Sequence, residues 1–244
     1  MASLLQFTAI AALFSLAVAA PISLRGLEPM VSDCIQQCTA DFHSATNNLE
    51  FAKTTDYGSQ LINLNKTCKA SEDGQACIKK CNIETNPLDI PALTVMCDER
   101  RRAEVASHQV CYEENNEHVN MICDEKCGAH LMSHVDSNGK PMKPTLQETA
   151  TACTRSRCHA SCSRDAFGEL CKNTDPAAGL YLQQFFIEVL DAFNQGLEEQ
   201  GLMPFVWEKM PKECHAMFSP LEFFGLGSPV ESVPAVELTE TGHQ

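Results

Sequence analysis

At 244 residues the chain is long enough for one substantial core or two small ones. Thirty-two acidic residues against eighteen basic give a net charge of -14 at pH 7. That charge repels nucleic acid, anionic lipid and sulfated polysaccharide at long range, which excludes loose polyanion binding as a function.

Met1 to Ala20 carry no charged side chain and run through Leu4, Leu5, Phe7, Ile10, Leu13, Phe14, Leu16 and Val18 into small residues. The apolar stretch is too short to cross a bilayer core of about 30 Å, and Ala17 and Ala19 supply the small residues that signal peptidase reads. Residues 1–19 are therefore expected to be a signal peptide, cut after Ala19. No later segment is long and apolar enough to span a membrane, so a secreted, extracellular product is expected.

Residues 20–33, with Pro21 and Pro29, read as an extended N-terminal segment. Ser32 and Asp33 offer a helix cap, with Gln36 able to reach back, and a helix is expected over about 33–50. Cys34, Ile35, Cys38, Phe42 and Ala45 share one face of it. A second helix is expected over about 52–64, and a third carries Cys77 and Cys81 before Pro87 and Pro91 break the chain. Helix resumes at Thr94 and runs to about 114, with Val95, Cys97, Val105, Val110 and Cys111 as candidate core positions. Another helix, about 116–134, carries Cys123 and Cys127 and ends at the polar turn Asp136 to Pro141.

Thr145 and Glu148 have capping-box spacing and open the helix that carries Cys153, Cys158 and Cys162. Asp175 and Pro176 read as an N-cap followed by proline at the first helical position. The helix they open has a broad apolar stripe, Leu182, Phe185, Phe186, Val189, Leu190, Phe193 and Leu197, read as the face that closes the core. Residues 220–244 mix Pro, Ser, Gly, Thr and Glu without helical period and are expected to be a flexible acidic tail. The predicted architecture is all-α: a disulfide-stapled bundle of antiparallel helices over 34–219, with that tail.

Fourteen cysteines follow the expected cut: Cys34, Cys38, Cys68, Cys77, Cys81, Cys97, Cys111, Cys123, Cys127, Cys153, Cys158, Cys162, Cys171 and Cys214. An even count in an exported chain reads as seven disulfides. Four pairs share the spacing Cys-x-x-x-Cys: 34 with 38, 77 with 81, 123 with 127, and 158 with 162. On a helix, that spacing puts both sulfurs on one side, one turn apart. Two antiparallel helices so equipped can be stapled twice, which predicts Cys34–Cys81 with Cys38–Cys77, and Cys123–Cys162 with Cys127–Cys158. Paired thiolates on zinc are the competing reading of the same spacing; export and the even count favour disulfides.

Arg100, Arg101 and Arg102 form the one basic cluster, and Asp98 and Glu104 at helical spacing are expected to neutralise it. His130 and His134 have a metal-compatible spacing, but no third ligand is evident and no glutamate sits beside His130. Asp136, Asn138 and Gly139 read as a turn rather than a calcium loop. The chain has no nucleophile elbow, phosphate-cradling glycine loop or dinucleotide fingerprint, and no catalytic, metal or cofactor-binding residue is assigned. Asn65, in Asn65-Lys66-Thr67, is the one candidate for N-glycosylation and is expected in a loop.

From Cys34 to Cys214 the chain resembles the chondroitin proteoglycan 4 domain of secreted nematode proteins. The residues that carry the resemblance are Cys34-Ile-Gln-Gln-Cys38-Thr, Cys97-Asp-Glu-Arg through Cys111 to Cys123-Asp-Glu-Lys-Cys127, the run Cys153, Cys158, Cys162 and Cys171, and Pro211-Lys-Glu-Cys214. The resemblance implies a non-enzymatic role in extracellular matrix, eggshell or cuticle-associated material, or among secreted products, with an extracellular protein or matrix partner. Glycosaminoglycan carriage is not expected, because the chain has no Ser-Gly dipeptide; Gly58-Ser59 and Gly227-Ser228 run the other way. The alternative function is a helical carrier that encloses a lipid or other small apolar ligand along the stripe from Leu182 to Leu197.

Overall fold

The structure is a computed structural model that describes residues 33–40, 42, 55–81, 86, 88–129 and 145–227. The expected signal peptide, nearly all of the extended N-terminal segment, His130, His134, the turn at 136–141 and residues 228–244 lie outside the described residues. Every regular element that is described is helical.

Residues 33–40 form α1. Then come α2 (Tyr57–Ile62), α3 (Leu64–Lys79), α4 (Pro91–Met96), α5 (Glu99–Ser107) and α6 (Gln109–Cys127). After residue 144 follow α7 (Leu146–Leu170), α8 (Ala178–Glu199), α9 (Met203–Lys209), a 3₁₀ helix (Lys212–Phe218) and α10 (Pro220–Phe223).

The longest of these, α7, starts on the predicted capping box. Thr145 Oγ1 accepts from the Glu148 amide at 3.2 Å, and Glu148 Oε2 accepts from the Thr145 amide at 2.6 Å. It packs on α6 to one side and α8 to the other. All seven residues of the α8 stripe, Leu182 through Leu197, are buried, so the stripe closes the core as its period predicted. Each such side chain contributes roughly 1.5–3 kcal/mol of hydrophobic stabilisation. Aromatic edges lock the layers: Tyr57 meets Phe186 and Tyr112 meets Phe167, each T-shaped at 5.0 Å between centroids.

The cysteines form seven disulfides, with none free. Cys34–Cys81 and Cys38–Cys77 join α1 to the end of α3, and Cys123–Cys162 with Cys127–Cys158 join α6 to α7. These are the four pairs that helical spacing predicts. Rising numbers on one helix meet falling numbers on the other, so each stapled pair is antiparallel. Cys68–Cys97, Cys111–Cys171 and Cys153–Cys214 complete the set.

Several boundaries differ from expectation. The helix expected over about 94–114 is three pieces: α4 begins at Pro91, and Asp98 restarts the chain as the cap of α5 by accepting from the Arg100 and Arg101 amides. A side chain that satisfies free amides competes with continued helix, which apolar period alone does not reveal. The chain then turns at His108, and α6 runs unbroken across the expected break between 114 and 116 before ending at Cys127, where Gly128 takes φ +84°. Val110, a candidate core residue, is 66% exposed, because the buried face of α6 is Cys111, Tyr112, Val119 and Cys123. Asp175 does not cap α8, which begins at Ala178 without a side-chain cap.

The core also extends past its expected end at 219. Pro220 opens α10, and Phe223 and Phe224 are both 0% exposed, so residues 220–224 belong to the folded domain rather than to a flexible tail.

Candidate functional site

A cleft of about 440 Å³ opens between α5 and α8. Consecutive residues on a helix point about 100° apart, so the three arginines of α5 face three ways. Arg100 faces outward with 73% of its side chain exposed, whereas Arg101, at 14%, turns inward onto α8. Arg101 pairs with Glu188 of α8 and, at 3.3 Å, with Glu104 of its own helix. Arg100 lies 3.8 Å from Glu104. Arg102 leaves the cleft for α3, where it pairs with Glu72 at 3.0 Å and donates to Asn65 Oδ1 at 2.8 Å. Sequence spacing found Glu104 as a partner, but Asp98 is used as the α5 cap and Glu72 takes the place expected for it.

His108 and Tyr181 also line the cleft, and Asp175 holds His108 from outside that lining. His108 Nδ1 lies 2.7 Å from Asp175 Oδ2, and its ring sits 4.5 Å from the Tyr181 ring. Tyr181 Oη donates to the Arg101 carbonyl at 3.4 Å and faces Glu104 Oε2 at 3.5 Å. Burial, followed by the Glu104 charge, pushes its hydroxyl up to about 12. The cleft thus holds two arginines against two glutamates, each charge already partnered. Its serine, Ser107, donates to the Glu104 carbonyl at 2.6 Å rather than to His108. A histidine oriented by a carboxylate is present, but no activated nucleophile stands with it among the described residues. Such a cleft can hydrogen-bond a polar group.

The other two tyrosines are more protected still. Tyr57 Oη donates to the Ser156 carbonyl at 3.1 Å, and Tyr112 Oη donates to the Ala178 carbonyl at 2.9 Å. Burial raises both hydroxyls well above the ordinary range for tyrosine. A group whose acidity is weakened by folding stabilises the fold fully below its unfolded value of about 10 and loses that contribution as pH rises beyond it. Alkaline titration followed by tyrosinate absorbance should therefore show all three tyrosines ionising near pH 10 in denatured chain and none there in native chain. A native tyrosine titrating near pH 10 would contradict this burial.

No thiolate is available to a metal. The sulfurs of Cys34, Cys38 and Cys81 come within 4.8 Å of one another, but all three belong to disulfides. Asn65 is exposed as expected, yet it lies in the first turn of α3 rather than in a loop, because Asn63 ends α2 and the chain re-enters helix at once. The grouping of His108, Asp175 and Tyr181 escaped sequence reading. Their contacts span 67 residues or more, and no local spacing signals such a meeting. Compared with protein families, curated proteins and solved structures, the chain matches none.

Proposed function

We propose that the chain is a secreted, non-enzymatic structural or interaction protein of extracellular matrix or secreted material, as its resemblance to chondroitin proteoglycan 4 domain proteins implies. The observation that carries this reading is the disulfide framework: seven bridges and no free cysteine in a helical, strongly acidic chain. Such a framework persists in oxidising compartments and stabilises a domain against loss of its shape outside the cell. The absence of a helix long and apolar enough to cross a membrane among the described residues is consistent with it. The alternative, a helical lipid carrier, was suggested by the α8 stripe, whose side chains are occupied in the core.

Purification from the producing tissue with crosslinking and native mass spectrometry tests the proposal. An extracellular protein or matrix component crosslinked to the chain is the expected result. A stoichiometric apolar ligand would overturn it in favour of the carrier, and recovery with free thiols would overturn the export on which it depends.

A further inference from the structure

We infer that Asn65 carries an N-linked glycan, and that the glycan is attached before α3 packs and before the Cys68–Cys97 disulfide closes. The inference rests on the export reading, since glycan transfer to Asn-x-Thr belongs to the secretory route.

The folded chain suits the product of that reaction. Asn65 is exposed on α3. Arginine can only donate, so the carboxamide atom that faces Arg102 Nε at 2.8 Å is the oxygen. Nδ2, the atom that takes sugar, makes no hydrogen bond among the described residues. Transfer forms a bond between Nδ2 and the sugar C1 and breaks the bond from C1 to a lipid-linked pyrophosphate. The lipid pyrophosphate leaves, and the amide gives up one proton to the enzyme's base. The side-chain carbonyl is untouched, so the Arg102 contact and the glycan coexist.

The folded chain does not suit the substrate. The enzyme must also read the sequon hydroxyl, and Thr67 is only 2% exposed. Its Oγ1 donates to the Asn63 carbonyl at 3.2 Å inside the helix. The next residue, Cys68, is fully buried and bridged to Cys97 of the α4–α5 junction. Helix, burial and bridge all prevent the three residues of the sequon from being drawn out. The hydroxyl becomes available only while this part of the chain is open.

The test uses the unglycosylated full chain, purified oligosaccharyltransferase and its lipid-linked oligosaccharide donor, with transfer read from the mass of the peptide that contains Asn65. Reduced chain, held in a dithiol, should accept glycan about tenfold or more faster than oxidised chain, because a site exposed only by opening reacts in proportion to its open fraction. Thr67→Ala should abolish transfer to the reduced chain. Equal transfer to both forms, or faster transfer to the oxidised form, overturns the timing; no transfer to the reduced chain overturns the site. The assay needs no secretion, so its failure is distinct from a failure of the export reading.

Discussion

Gly179→Ala is expected to lower the melting temperature by about 6–12 °C, taking roughly 3 kcal/mol of overpacking and the usual 2–4 °C per kcal/mol for a chain of this size. A Cβ at position 179 would stand 2.2 Å from the Arg164 carbonyl oxygen and 2.8 Å from the Gly168 amide nitrogen. Both are backbone atoms of α7, so no rotamer change relieves the clash, and the whole crossing of α7 and α8 would have to widen. That crossing carries the buried stripe of α8. Gly168→Ala provides the contrast on the facing helix. Nothing lies within 4 Å of its Cβ position, so it should be neutral or gain up to about 1 kcal/mol from better helix propensity. Thermal melts followed by circular dichroism compare the two, and equal losses would argue against so close an approach.

The double variant Cys153→Ala, Cys214→Ala is expected to lose about 4 kcal/mol, the loop-closure term for a bridge between cysteines 61 residues apart. This bridge anchors the 3₁₀ helix to α7, and through it the terminal segment that delivers Phe223 and Phe224 to the core. Changing both cysteines avoids leaving a thiol that mispairs. Guanidinium denaturation of the oxidised proteins measures the difference. An unchanged midpoint would mean that packing alone holds the terminal segment in place.

Sequence reading succeeded where the signal was local and periodic. The Cys-x-x-x-Cys spacing is a property of one helical turn, so it identified four staples and their antiparallel sense. The Thr145–Glu148 box and the α8 stripe are equally short in range. The remaining cysteines, at 68, 97, 111, 153, 171 and 214, have no repeating spacing, and their pairing depends on how helices stack. Asp98 and Asp175 show a second cause of error. An aspartate can cap a helix or pair with a cation, and sequence assigned each the role that it does not play: Asp98 caps α5 and Asp175 faces His108. Composition averaged over the last 25 residues hid two adjacent phenylalanines behind polar neighbours. The cleft was illegible because it gathers residues from two segments far apart in the chain, 100–108 and 181–188, and Arg101 gave no sign that it would find Glu188.

The pattern of bridges also divides the molecule in a way that its packing conceals. Three of them link positions 34 to 97 into one cross-linked network, and four link positions 111 to 214 into another. None crosses from one to the other, so a single peptide thread, residues 98–110, connects the two. Its only lysines or arginines are Arg100, Arg101 and Arg102. One backbone cut outside that thread, anywhere else between 34 and 214, leaves a single covalent body, whereas a cut within it, as after any of these arginines, leaves two. The halves would still cohere in the native state through α4 on α8 and Tyr57 against Phe186, and would part only when that packing is dissolved. The ion pairs of Arg101 and Arg102 lie at the one place between Cys34 and Cys214 where covalent integrity depends on a single strand of backbone.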